Sequence, residues 1–250
     1  MKKTIICAHR GLEDSTPENT RAAFEGGLVQ GMAVEMDIQR TADDHLVVMH
    51  DPTVDRTTDG SGEIAQMTLA QIKTLDAGSW YGPQFAGQRV ITFDEALELA
   101  VSHKLVSPSV ALDVKLLPPD TTTMIRDCLE NHGMIEEVVC IGAGRKSVEV
   151  RRQFHEVSDR FQCAVTADDP EEIDAALNDD YSTWVYARFV PTAEDVLRVN
   201  GGGKRMIVSG PCVAYDINGV HEACRAGADM VLTWHPTTLR LVGPEAANGD

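Results

Sequence analysis

Basic and aromatic residues are both scarce in this chain. Aromatics make up 5% of its 250 residues, and 22 lysines and arginines face 39 aspartates and glutamates. The resulting formal charge of -17 repels polyanions, which argues against nucleic acid as a partner. An anionic small substrate must therefore find local cations in its pocket. No apolar run approaches the roughly 20 residues needed to cross a bilayer. The short run in MKKTIICAHRG stops at His9 and Arg10, too soon for a secretory leader. A cytoplasmic protein without membrane insertion is the expectation. The six cysteines, Cys7, Cys128, Cys140, Cys163, Cys212 and Cys224, contain no CxxC pair. They read as small buried residues in a reducing compartment, not as a disulfide framework or zinc site. Internal repeats, low-complexity tracts and linkers are missing too, and no pattern sets an oligomeric state.

What the chain has is rhythm. Short apolar runs at Thr4–His9, Ala33–Ile38, Val110–Lys115, Val138–Ile141, Phe161–Val165, Thr183–Tyr186, Arg205–Val208 and Asp229–Thr233 alternate with amphipathic segments. Those segments lie near Thr20–Gln30, Phe93–His103, Thr121–Asn131, Lys146–His155, Pro170–Asn178, Thr192–Val199, Asp216–Arg225 and Pro236–Val242. Eight strands each followed by a helix predict an α/β fold, a single (β/α)₈ barrel domain over 1–250. An open doubly wound sheet is the alternative, but no GxGxxG turn or P-loop follows the first strand. Gly31 and Gly227 stand where helices need a left-handed cap, and Pro170 and Pro236 where helices open. One stretch, about 51–92, is too long for a simple βα connection. It forms an insertion between the second and third βα units, with a short helical pattern at Leu69–Leu75, and a long ordered insertion beside a barrel mouth is usually functional.

The second strand reads VEMDI. Strand side chains alternate, so Val34, Met36 and Ile38 share one face and Glu35 and Asp37 the other. In a barrel the apolar face packs under helices and the carboxylates point inward. The third strand, VALDVK, repeats this, with Asp113 and Lys115 inward. Glu35, Asp37 and Asp113 form an all-oxygen cluster that suits one Mg²⁺ or Ca²⁺. A salt-bridged interior, with Lys115 neutralising an acid, is equally open on spacing alone. His9 and His50 each end an apolar run, a placement that fits a general acid and base. His45, His103, His132, His155, His221 and His235 lack that context. Arg10 and Lys115 are the cations a phosphoryl group needs.

In order, His9-Arg10-Gly11, Pro17-Glu18-Asn19-Thr20, Glu35-x-Asp37, His50-Asp51 and Asp113-x-Lys115 resemble the motifs of the glycerophosphodiester phosphodiesterase family. DRTTDGSG, LDAGSWYG and DEAL in the insertion add to the likeness. The resemblance implies a (β/α)₈ barrel that hydrolyses small glycerophosphodiesters to an alcohol and sn-glycerol 3-phosphate. It implies one divalent cation on Glu35, Asp37 and Asp113, and His9 and His50 as the acid/base pair. Arg10 and Lys115 would contact phosphate, Glu18 would line the site, and Asn19 would do so or begin the first helix. The family's proposed route runs through a cyclic phosphate made by the glycerol 2-hydroxyl. This chain departs from the pattern in carrying Asp113 where Glu is usual, and at the ends of the fourth, seventh and eighth strands. Trp234, at the last of these, either packs against the diester's alcohol or caps the barrel core. Two other functions stay open: a non-catalytic phosphate-ester binding protein, and a barrel lyase using Lys115 as a Schiff-base nucleophile.

Overall fold

The computed structural model describes residues 3–115, 118 and 120–237. Strand β1 (Ile5–Ala8) is followed by helix α1 (Arg21–Leu28), β2 (Ala33–Arg40) and a short β3 (Leu46–Val48). The segment beyond carries α2 (Leu69–Ile72) and leads to α3 (Phe93–Ser102). Regular alternation follows: β4 (Val110–Val114), α4 (Thr121–Asn131), β5 (Val138–Gly142), α5 (Val148–Val157), β6 (Gln162–Ala167) and α6 (Ile173–Leu177). The chain then runs through β7 (Trp184–Ala187), α7 (Ala193–Gly201), β8 (Arg205–Val208), α8 (Pro211–Ala214), α9 (Ile217–Ala226) and β9 (Met230–Thr233). All strands except β3 pair in parallel, and β1 pairs with both β9 and β2, which closes the ring into the expected barrel. β3 lies antiparallel against β2 as an added ninth strand.

The strands fall within one or two residues of the expected ones, because side-chain alternation and the flanking turns leave little freedom of register. Helix starts follow local chemistry. The Thr92 and Thr192 hydroxyls accept from the third backbone N–H of α3 and α7, and Glu95 and Asp195 reach back to the capping backbones. Each such cap is worth about 1 kcal/mol. Gly227 caps α9 in the left-handed region, at φ +88°. Gly31 does not cap α1: the helix ends at Leu28 with Val29 as its cap, and Gly31, at φ +76°, turns the chain two residues later. Pro170 opens a 3₁₀ turn, Pro170–Glu172, that leads into α6. The helix expected from Pro236 lies, from residue 238 on, outside the described residues.

Two apolar shells result. Outside the ring, Val34, Met36, Ile38, Val110, Leu112 and Val114 pack with Phe24, Phe93, Leu97 and Phe154 from the helices. Inside, Cys7, Ala33, Ala111 and Ala164 are small, and the large Trp184 shares their cluster. The Trp184 indole N–H donates to Gln162 Oε1 at 2.9 Å, and the Arg205 guanidinium lies 4.0 Å over its ring. These groups plug the barrel at the end where the strands begin and leave the other end for a site. The thiols are unpaired, and Cys7, Cys140 and Cys163 are buried, while Cys128, Cys212 and Cys224 are only partly so.

The insertion leaves after β3 and returns at α3, so it opens ahead of the second unit's helix and not behind it. Val54, Ile64, Ile72, Ala77 and Val90 give it a small core of its own against Val47 and Met49. Among the described residues no helix is long and apolar enough to cross a membrane.

Candidate active site

The site begins with strand alternation. Glu35 and Asp37 on β2 and Asp113 on β4 turn into the barrel, and Asp37 and Asp113 are register partners across the two strands. One oxygen from each carboxylate can be chosen so that all three lie within 4.8 Å of one another. Glu35 and Asp37 are each 1% exposed. Burial pushes the Glu35 carboxyl well above the usual range, and the charges of Asp37 and Asp113 push it further. Asp37 goes the other way. Burial raises it, but the Lys115 ammonium and the Arg10 guanidinium outweigh that and hold it low. Lys115 Nζ lies 2.7 Å from Asp37 Oδ1 and 3.0 Å from Asp113 Oδ2. Burial lowers the Lys115 ammonium, and the two aspartates more than restore it, so its pKa ends up raised. A lysine held charged in this way is a poor Schiff-base nucleophile.

Lys115 therefore fills the salt-bridge role, yet it leaves Glu35 without a cation. Glu35 Oε2 accepts the Arg10 backbone N–H at 2.9 Å, and His9 Nε2 stands 4.0 Å away. Arg10 takes a left-handed φ of +50°, which aims its N–H at Glu35 while its side chain turns to other acids. Its Nη1 donates to Glu18 at 2.8 Å and its Nε lies 3.3 Å from Asp37. Arg56, from the insertion, ties Glu18 to Asp51 with contacts of 2.7 Å on each side. In this connected network Glu13, Glu18, Glu35, Asp37, Asp51 and Asp113 face only Arg10, Arg56 and Lys115 as permanent cations. The surplus of buried and half-buried acids, with hard oxygen donors converging, fits a divalent cation.

Both histidines are oriented by carboxylates. His9 Nδ1 lies 2.6 Å from Glu13 Oε1, and its ring stacks on Trp234 with centroids 4.0 Å apart. His50 Nδ1 lies 2.7 Å from Asp51 Oδ1, and Gln39 Nε2 donates to the His50 carbonyl at 3.0 Å. With each Nδ1 so engaged, Nε2 is the nitrogen left for a substrate.

His9, Arg10, Glu35, His50, Asp113 and Trp234 line one cavity of about 310 Å³. Asp37, Glu18 and Lys115 do not. Asp37 lies beneath the cavity floor, Glu18 holds Arg10 and Arg56, and Lys115 clamps the two aspartates. Trp234 both lines the cavity and backs His9. Asn19 does not begin α1, since Thr20 is the capping residue. At φ +56° it is buried, and its Nδ2 donates to Asp37 Oδ2 at 2.9 Å. Several residues that the motifs did not single out also belong here. Glu13 and Arg56 hold the histidine and arginine in place, and Ile141, Arg145, Tyr186, Arg188, Gly210 and Tyr215 form the cavity's far wall. Glycine is compelled beside Asp113. At Gly142, φ +72°, a Cβ would stand 2.2 Å from Asp113 Oδ1 and 2.7 Å from the Val114 nitrogen.

A barrel whose open end gathers three carboxylates and two carboxylate-oriented histidines carries its polar groups where barrel enzymes place their active sites. The model of the glycerophosphoryl diester phosphodiesterase family matches residues 9–154. A glycerophosphodiester phosphodiesterase of Caldanaerobacter subterraneus subsp. tengcongensis is 32% identical over 244 residues, covering 95% of this chain and 96% of that protein. This chain belongs to the glycerophosphoryl diester phosphodiesterase family, and is a phosphoric diester hydrolase of that kind. The crystal structure of a glycerophosphodiester phosphodiesterase from Agrobacterium tumefaciens is similar at a TM-score of 0.78 and 26% identity, over 96% of this chain and 100% of that one. A phosphodiesterase of Oleispira antarctica, solved with the product sn-glycerol-3-phosphate, shares the fold at a TM-score of 0.75 and 20% identity, over 96% of each chain.

Proposed function

We propose that the barrel mouth hydrolyses small glycerophosphodiesters to an alcohol and sn-glycerol 3-phosphate, with one divalent cation, Mg²⁺ or Ca²⁺, and the histidines as the proton-transfer pair. The observation that carries this is the convergence of Glu35, Asp37 and Asp113 oxygens within 4.8 Å, with Glu35 and Asp113 lining the cavity that the two carboxylate-oriented histidines also line. Glu35, Asp37 and Asp113 would hold the ion. Bound there, it supplies positive charge against the phosphoryl oxygens. Arg10 lines the cavity beside it and adds to that field; Lys115, Glu18 and Asn19 act from behind by fixing Asp37, Asp113 and Arg10.

The substrate glycerol 2-hydroxyl attacks phosphorus. One histidine takes its proton through Nε2 while the other gives a proton to the departing alcohol oxygen. The P–O bond to the alcohol breaks and a cyclic phosphate remains. Water then attacks phosphorus with the roles reversed: the second histidine takes the proton of water, the P–O bond to the 2-oxygen breaks, and the first histidine returns a proton to that oxygen. Glu13 and Asp51 keep each ring in the tautomer that leaves Nε2 facing the reaction and stabilise the protonated ring. Tying the insertion to Glu18 and Asp51 through Arg56 makes it part of the same unit as the barrel.

The test is release of sn-glycerol 3-phosphate by chelator-treated protein, with glycerophosphocholine, glycerophosphoethanolamine and glycerophosphoinositol, before and after Mg²⁺, Ca²⁺ or Mn²⁺ is added. Release restored by metal supports the reading. Full release in chelator removes the metal from it, and no release with any metal removes the reaction.

A further inference from the structure

The cavity is divided by charge. Its two lining carboxylates, Glu35 and Asp113, both belong to the ion cradle. The far wall, past the ends of β5, β7 and β8, carries Arg145, Tyr186, Arg188 and Tyr215 and no acid, with Trp234 at its edge beside His9. In a chain with 39 acidic residues and 22 basic ones, cations near the site are otherwise saturated. Arg10, Arg56 and Lys115 each hold two carboxylates.

Arg145 is different. It sits in the turn Ala143–Arg145 directly after β5, with its guanidinium 5.0 Å over the Tyr186 ring. Among the described residues no carboxylate comes within 4.0 Å of it. Arg188 follows β7 and is only partly engaged, through one contact of 2.9 Å from Nη1 to the half-exposed Asp168. Its stem lies against the turn at Gly210, φ +93°, where a Cβ would come within 3.4 Å of Nε. The absent side chain lets the guanidinium lie along the cavity wall. Two planar forks of donors, one of them without any acid, face the space that a diester's alcohol must occupy once its phosphate lies at the cradle.

We infer that this wall is an anion subsite, and that the preferred glycerophosphodiesters carry a second negative group, a carboxylate or a phosphate monoester, on the alcohol moiety. This rests on the hydrolase reading above. An aromatic cage for a quaternary ammonium is the opposite expectation. One face of Tyr186 is covered by Arg145 and one face of Trp234 by His9, at 4.0 Å. An ammonium on this wall would meet two guanidinium groups.

Matched substrate pairs isolate the added charge. Glycerophosphoserine differs from glycerophosphoethanolamine by one carboxylate, and phosphorylated glycerophosphoglycerol differs from glycerophosphoglycerol by one phosphate. With the metal-loaded protein, kcat/KM should favour the charged member of each pair by about tenfold, the worth of one charge-assisted contact. In Arg145→Met combined with Arg188→Met, that ratio should fall to about one. A ratio of one or less in the unaltered protein overturns the inference, and needs no variant. A ratio that survives in the double variant, with all four diesters slowed equally, assigns the arginines to the reacting phosphate and overturns it as well. If none of the four is turned over, calorimetric Kd values give the same ratio. A retained preference without turnover then fails the hydrolase reading alone, while turnover without preference fails this one alone.

Discussion

Gly142→Ala tests the ion cradle from behind. The backbone there sits at φ +72°, and the added methyl carbon would stand 2.2 Å from Asp113 Oδ1 and 2.7 Å from the Val114 nitrogen. Two costs follow. A positive-φ conformation that only glycine adopts freely costs an L-residue about 1–3 kcal/mol, and the overlap costs a further 1–3 kcal/mol or so, since the Val114 backbone cannot yield. Asp113 is the group that can move, and moving it pulls one carboxylate from the cradle. Gly133 is the control. It also has a positive φ, +65°, and a Cβ there would meet nothing within 4 Å, so Gly133→Ala pays a conformational cost without the overlap. Thermal unfolding should place the Gly142 variant roughly 1–3 kcal/mol below the Gly133 variant. At about 2–4 °C per kcal/mol, its midpoint should fall at least about 4 °C below the unaltered protein. Titration with Mn²⁺ should show binding weakened about tenfold or more for Gly142→Ala and unchanged for Gly133→Ala. Equal stabilities of the two variants, or undiminished metal binding by Gly142→Ala, would refute the coupling of Gly142 to Asp113.

His9→Ala and His50→Ala should each lower diester turnover by at least about a hundredfold in a sn-glycerol 3-phosphate release assay; near-normal rates in either would remove that histidine from proton transfer. Glu13→Gln keeps the shape beside His9 Nδ1 but loses the charge, and kcat should fall about tenfold with KM little changed. A pure KM effect would instead place Glu13 in substrate binding. Behind the turn that carries Arg145, Arg151 is 4% exposed; its Nη1 donates to the Gly144 carbonyl and its Nε to Asp179 at 3.1 Å. Arg151→Ala should destabilise by about 3 kcal/mol in urea unfolding, because it strands a partly buried carboxylate. Burial raises the Asp179 carboxyl, but Arg151 outweighs it and the net shift is downward. The pair's contribution is therefore complete above about pH 4 and is lost as pH falls below the ordinary carboxylate range. An Arg151→Ala deficit of the same size at pH 3 and pH 7 would contradict this.

The sequence alone determined the local arrangement. In VEMDI and VALDVK the two-residue period sends Val34, Met36, Ile38, Val110, Leu112 and Val114 outward and Glu35, Asp37 and Asp113 inward, whatever the rest of the chain does. Repetition of strand and helix called for the barrel, and the positions of His9 and His50 at the ends of apolar runs marked its mouth. Only the tertiary structure decided which of these groups meet the cavity and which stand behind it. Asn19 reaches Asp37 because its backbone adopts a left-handed turn that Asn tolerates but its neighbours do not dictate, and Arg10 does the same although its residue type disfavours it. Arg56 finds Glu18 across 38 positions of sequence. Arg145, Tyr186, Arg188 and Trp234 share a wall only because ring closure brings the ends of β5, β7 and β9 around one axis. Periodicity is a property of neighbouring residues and survives in a string of letters. Convergence depends on loop conformations and on strand closure, and those are set by contacts between residues that the sequence keeps far apart.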